Sequence, residues 1–124
     1  YMAVSGLIEA TPKHGENAVR MALATVREIS DFNRVNKFDL KVRIGINSGP
    51  VIGGVIGESR FMYDMWGDTV NVASRMESEG VEGKVQVSEA TYDLVKLLPD
   101  LHFTPRGAIE VKGRGKMQTW FVDV

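Results

Sequence analysis

Along this chain the spacing of apolar residues switches repeatedly between the helical and the strand period, with polar or glycine residues at each switch. Over 15–35, Val19, Ala22, Leu23, Val26 and Ile29 form one helical stripe, while Glu16, Arg20, Arg27 and Glu28 fall largely outside it. This predicts a helix with one buried face, closed by the polar residues of 33–39. Over 41–47 the pattern becomes strict alternation: Val42, Ile44 and Ile46 share one face, and Arg43, Gly45 and Asn47 take the other. A half-buried strand is expected there.

Ser48-Gly49-Pro50 bends the chain, and the four glycines at 49, 53, 54 and 57 weaken the following strand while permitting close approach of a backbone or ligand. The expectation is a long bulged hairpin arm over 51–57, a turn at 57–60 and a returning strand over 61–65. Gly67 then breaks the strand, and Asp68 can cap a helix that begins at Thr69 and runs to 79. Gly80 stands where a left-handed helix end belongs. After it come a strand at 84–87 and a helix capped by Ser88 and stopped before Pro99, with Ala90, Leu94, Val95 and Leu98 as its buried side. Phe103 and 109–111 form a strand, 113–116 a turn and 118–122 the returning strand. Helices interleaved with strands and short hairpins predict an α/β (α+β) domain: a mixed sheet carrying helices.

At 124 residues the chain fits one domain, 1–124, with enough length for a substantial core. A net charge of -1 does not suggest a nucleic-acid surface, since such a domain usually carries a pronounced basic excess. The chain contains no cysteine, so no disulfide or thiolate metal site is possible, which fits a reducing compartment. No apolar run reaches membrane-spanning length and no secretory leader opens the chain. It opens on the strand-like Tyr1-Met2-Ala3-Val4-Ser5-Gly6-Leu7 without a cap, so a segment of a longer domain is expected.

Several polar groups invite a functional interpretation. On the helix after Asp68, Asn71 and Arg75 are four residues apart and share a face, near the helix end that favours anions; a plain surface pair satisfies the same spacing. Asp64 lies among Met62, Tyr63, Met65 and Trp66, which partly desolvate it, so its carboxylate needs a donor, from either a structural ion pair or a ligand. Lys112, Arg114 and Lys116 surround Gly113 and Gly115 in a hairpin turn that can hold a polyphosphate, although a solvated basic turn is the simpler account of spacing alone. His14 and His102 are isolated and read as surface residues. Gly80-Val81-Glu82-Gly83-Lys84 is too short for a Walker loop, and Gly53-Gly54 with Gly57 lacks the context of a dinucleotide fingerprint.

The run Tyr63-Asp64-Met65-Trp66-Gly67-Asp68-Thr69-Val70-Asn71-Val72-Ala73-Ser74-Arg75-Met76-Glu77-Ser78 closely resembles the signature of the class III nucleotidyl cyclase catalytic domain. Tyr1 to Gly6, Asn17 to Ala22, Arg43 to Val51, and Val111-Lys112-Gly113-Arg114-Gly115 resemble the same family in the same order. The likeness covers the whole chain and corresponds to roughly the C-terminal two-thirds of the family's domain. It implies a ferredoxin-like sandwich with a mixed, mainly antiparallel sheet, N-terminally truncated here and working as a dimer with a second cyclase domain, a homodimer being expected.

By the same resemblance, the activity is conversion of ATP to 3′,5′-cyclic AMP and pyrophosphate, with two divalent ions, Mg or Mn, assisting attack of the ribose 3′-hydroxyl. Asp64 would accept a hydrogen bond from the adenine amine, with Met65 and Trp66 lining the base. Asn71 would orient the ribose, Arg75 would stabilise charge at phosphorus, and Val72, Ala73 and Ser74 belong to the same substrate-contacting run. Lys112 would contact the terminal phosphates. Guanine would set its carbonyl against the Asp64 carboxylate, a mismatch of about 1–3 kcal/mol, so ATP is expected over GTP. The family's metal-binding aspartates and the lysine partner of Asp64 precede the segment matching Tyr1, so the chain alone is expected to be inactive. A catalytic domain on the cytoplasmic side is implied. The alternatives are a guanylate cyclase and a non-catalytic cyclase-like module for dimerisation or regulation.

Overall fold

The computed structural model describes residues 1–7, 9–50, 67–111 and 113–124. Its elements are α1 (His14–Asn36), β1 (Ile44–Ile46), α2 (Asp68–Ser78), β2 (Val85–Ser88), α3 (Glu89–Val95), β3 (His102–Val111) and β4 (Gly115–Asp123). The four strands form one sheet in the order β1-β2-β4-β3. The β1 and β2 strands are parallel, and the other two pairings are antiparallel, giving the mixed, mainly antiparallel sheet expected from the sequence. Parallel neighbours need a crossover connection, and α2 lies within the stretch that joins them. The arm, turn and strand expected over 51–65 fall outside the described residues.

Side-chain alternation divides the sheet into two faces, each covered by helix. On one, Ile46, Val85, Val87 and Val122 pack with Val19 and Ala22 of α1, Val95 of α3 and Leu101. The Tyr92 ring stacks on Trp120 at 4.0 Å and meets Phe103 edge-on at 5.1 Å, extending this core along β4 and β3. On the other face, Val72 and Met76 of α2 pack with Ile109, Val111 and Met117. All four residues of β2 are buried because this strand is flanked by β1 and β4 and covered on both sides.

The alternation expected over 41–47 holds. Ile44 and Ile46 join the core beneath α1. Arg43 pairs with Glu77, and Asn47 donates to the Thr69 carbonyl, so both turn toward α2. Between them, a Cβ on Gly45 would lie 2.0 Å from the Glu77 backbone nitrogen. Only a residue without a side chain lets α2 lie directly on β1. The regular strand is nevertheless shorter than expected, Ile44–Ile46, because ladder pairing with β2 begins only at Ile44.

The termini of the helices carry the corrections. The first helix runs three residues past Asn33 and ends at Lys37, which is left-handed with φ 57°. Rather than closing the helix, the Asn33 amide holds the following segment by hydrogen bonds to both backbone groups of Leu40. Gly80 is not a left-handed cap. Its N–H donates to the Glu77 carbonyl at 3.0 Å, and the left-handed residue of this connection is Gly83, with φ 80°. Ser88 does cap α3, accepting from the Thr91 N–H. The buried side of α3 is Thr91 and Val95, however, while Ala90 and Leu94 are exposed. The sheet sets that rotation by placing Ser88, a buried strand residue, immediately before the helix, so the third helical position turns inward. The tail is a longer hairpin than expected, with Pro105 inside β3 beside a register shift. Proline is tolerated there because β3 ends the sheet among the described strands.

Candidate active site

The second helix begins on an extended Gly67, whose carbonyl accepts from the Asn71 N–H at 3.0 Å. Asp68 is therefore the first helical residue rather than the cap, and no side chain caps this end. Its carboxylate forms an ion pair with Arg114 in the turn between β3 and β4. The acidic group also sits where the helix dipole favours negative charge, so two electrostatic terms act together. The pair ties the tip of the β3–β4 hairpin to the start of α2, the helix bearing Asn71.

Asn71, Ser74 and Arg75 lie on the exposed side of α2, at spacings of three and four residues that stack them on one face. The expected juxtaposition of amide and cation is thus present. Arg75 does not extend freely into solvent. One of its terminal nitrogens donates to the Glu110 carbonyl at 3.0 Å and stands 3.3 Å from the Glu79 carboxylate. The guanidinium is thereby drawn over the end of β3, with donors left for a further acceptor, since arginine has five N–H groups. Val72 stands apart from this set: 1% exposed, it belongs to the core beneath α2, and Ala73 is half-buried beside it.

Arg114 pairs with Asp68, both half-exposed or more, so part of its hydrogen-bonding capacity is engaged within the chain. Lys116 is exposed opposite Glu110 across the β3–β4 ladder. Asp64, Met65, Trp66 and Lys112 lie outside the described residues. Among the described residues, no group of three or more His, Cys, Asp or Glu is placed to hold a metal ion. The side chains gathered on the exposed face of α2 offer a fixed cation and an amide. No helix among the described residues is long and apolar enough to cross a membrane.

Beneath the exposed face is a set of polar residues that sequence inspection did not single out. Asn47, Thr69 and Ser88 are joined by hydrogen bonds at the meeting point of β1, α2 and β2. The available signal was Asn47 on the side of its strand opposite the apolar residues. Its partners could not be identified from spacing, since they lie 22 and 41 residues away.

The family model for the adenylate and guanylate cyclase catalytic domain matches residues 1–124. The chain belongs to that family. It is 43% identical over 128 residues to adenylate cyclase type 9 of Gallus gallus, covering 97% of this chain and 10% of that protein. It is 44% identical over 123 residues to the soluble guanylate cyclase gcy-34 of Caenorhabditis elegans, covering 98% and 18%. Among solved structures, it resembles the catalytic core of a rhodopsin-guanylyl cyclase with converted specificity in complex with ATPαS. That match has 41% identity and a TM-score of 0.83, over 97% of this chain and 64% of the other. The adenylyl cyclase CyaB from P. aeruginosa shares the fold with 27% identity and a TM-score of 0.78, over 94% and 62%. The chain thus spans a tenth to a fifth of these two curated relatives and under two-thirds of these solved chains, and the fold is that of a class III cyclase catalytic domain.

Proposed function

We propose that this chain is part of an adenylate cyclase site, in which Asn71 orients the ribose of ATP and Arg75 stabilises charge developing at the α-phosphorus. The observation that carries the reading is the exposed amide–guanidinium pair on α2, set within a sequence that matches the family's signature. Arginine keeps its positive charge throughout, so Arg75 acts electrostatically, without proton transfer. Asp64 reads the adenine amine, with Met65 and Trp66 against the base, and Lys112 meets the terminal phosphates. The Ala73 and Ser74 stretch supports the substrate from α2, while Val72 serves by holding the helix on the sheet. A second cyclase domain, in a homodimer, together with Mg or Mn ions held outside the described residues, completes the site. Catalysis takes place on the cytoplasmic side.

Selectivity for ATP rests on Asp64: a carboxylate accepts from the adenine amine and opposes the guanine carbonyl. Similarity to a guanylyl cyclase core described as having converted specificity and as bound to ATPαS supports this choice. The 44% identity to a guanylate cyclase favours GTP as the second reading. The intact domain, assayed with each nucleotide and Mn, separates them. ATP should exceed GTP in kcat/KM by at least about fivefold, and Asp64→Cys should narrow that margin. A reversed preference in the unmodified domain would establish the guanylate reading, and equal preference would overturn the selectivity assigned to Asp64. Residues 1–124 alone should form no cyclic AMP under the same conditions.

A further inference from the structure

We infer that Asn47 is a positioning residue, the hydrogen-bonding pin that fixes the rotation of α2 at its first turn and hence the placement of Asn71 and Arg75. The inference rests on the reading of those two residues given above. Asn47 follows β1 directly and faces α2. Its side-chain nitrogen donates to the Thr69 carbonyl at 3.0 Å, and its side-chain oxygen accepts from the Ser88 hydroxyl at 2.5 Å. The amide can point only one way, because a backbone carbonyl such as that of Thr69 can accept but never donate. Ser88 is wholly buried, and its single hydroxyl proton goes to Asn47 while its oxygen accepts from the Thr91 N–H at 3.4 Å. Thr91, also wholly buried, shares a 2.8 Å hydrogen bond with the Ser48 hydroxyl. The Thr69 hydroxyl donates to the Pro50 carbonyl at 2.6 Å. One small network therefore joins the exit of β1, the first turn of α2 and the cap of α3.

The other anchors of α2 constrain it differently. Gly45 sets its height over β1 at Glu77. The ion pair between Asp68 and Arg114 and the hydrogen bond from Arg75 to Glu110 are exposed, whereas the hydrogen bond from Asn47 to Thr69 is partly buried. Val70, Val72 and Met76 hold it by apolar packing, which is strong but non-directional. Arg43 and Glu77 form a half-exposed ion pair toward the far end of the helix, a kind of contact worth little. Exposed groups on a helix stand about 5–6 Å from its axis, so a rotation of about 10° shifts them by about 1 Å. A displacement of that size at reacting groups can reduce rate by about 100-fold. Thr69, which Asn47 grips, lies two residues before Asn71 and six before Arg75.

The decisive variant is Asn47→Asp in the intact cyclase domain. It preserves size and the acceptor facing Ser88 but sets an oxygen against the Thr69 carbonyl. We expect kcat per folded site to fall by about 10- to 100-fold with KM for the nucleotide within about twofold of the parent. Ser88→Ala should reduce kcat in the same sense and Ser88→Thr should restore it; this pair also decides the matter if Asn47→Asp fails to fold. A purely structural role would lower the melting temperature and the folded fraction while leaving kcat per folded site unchanged, and that result would overturn the inference. Arg75→Ala is measured alongside. If it loses activity while the Asn47 and Ser88 variants do not, the positioning role is wrong and the site stands. If Arg75→Ala itself retains the parent kcat, the reading of the site is wrong, and the role of Asn47 falls with it.

Discussion

Arg75 shows how a single side chain divides its donors between structure and chemistry. Its contacts with the Glu110 carbonyl and Glu79 pre-orient the guanidinium at the edge of β3, and the remaining N–H groups are available to an anionic ligand. Since its proposed interaction strengthens as charge builds on phosphorus, Arg75→Ala in the intact domain should lower kcat far more than it raises KM. Steady-state kinetics check this, and a loss confined to KM would contradict the role. Glu79 competes for the same cation from a half-exposed position, where such pairs contribute about 0–1 kcal/mol, so Glu79→Gln should change kcat by no more than about fivefold. Gly45 carries the opposite kind of constraint, purely steric. Any side chain there meets the α2 backbone at Glu77 rather than a movable side chain. Gly45→Ala should therefore destabilise the fold by at least about 1–3 kcal/mol, measured by denaturant unfolding.

Between elements, an ion pair ties α1 to the segment following α3. Arg20 contacts both oxygens of Asp100, at 2.7 and 3.1 Å, and Glu16 at 2.8 Å, the last of these being a pair within the helix. The guanidinium holds the Asp100 carboxyl below the usual carboxylate range. A group whose folded pKa lies below its unfolded value stabilises the fold above the unfolded pKa, and that contribution is lost as pH falls through the folded one. Asp100 should therefore stabilise at neutral pH and progressively lose its effect below about pH 4. Melting temperatures measured against pH test this: Asp100→Asn should lower stability at pH 7 and flatten the acid limb. Since the groups are exposed, added salt should diminish the difference. At the opposite face, Asp68 and Arg114 perform the corresponding task by fastening the β3–β4 hairpin to α2.

At the scale of the whole molecule, the described residues form two cores that share one sheet, and α2 rests on the smaller of them. Met76 is fully buried there, its sulfur 3.8 Å from the Gln86 amide nitrogen. Met76→Ala should cost about 2–5 kcal/mol in denaturant unfolding, because the helix cannot close the resulting gap while the Gly45 contact holds it against β1. Much of this arrangement was legible in the chain. The spacing of Val19, Ala22, Leu23, Val26 and Ile29 determined α1 and its buried stripe. Alternation assigned Arg43, Gly45 and Asn47 to one side of β1, and Ser88 marked the start of α3. These properties were readable because they depend on backbone periodicity and on groups a few residues apart. The spacing of Asn71 and Arg75 likewise placed them together on one helix face. Tertiary structure alone decided that α2 covers the face opposite α1, that Asp68 pairs with Arg114 instead of capping its helix, and that Thr91 rather than Ala90 turns inward on α3. It also decided that Arg75 is held by Glu110 and that Asn47 grips Thr69. Each of these depends on partners distant in sequence, so no local period encodes it: a residue's spacing states which side it occupies, but only the packed sheet states what stands there.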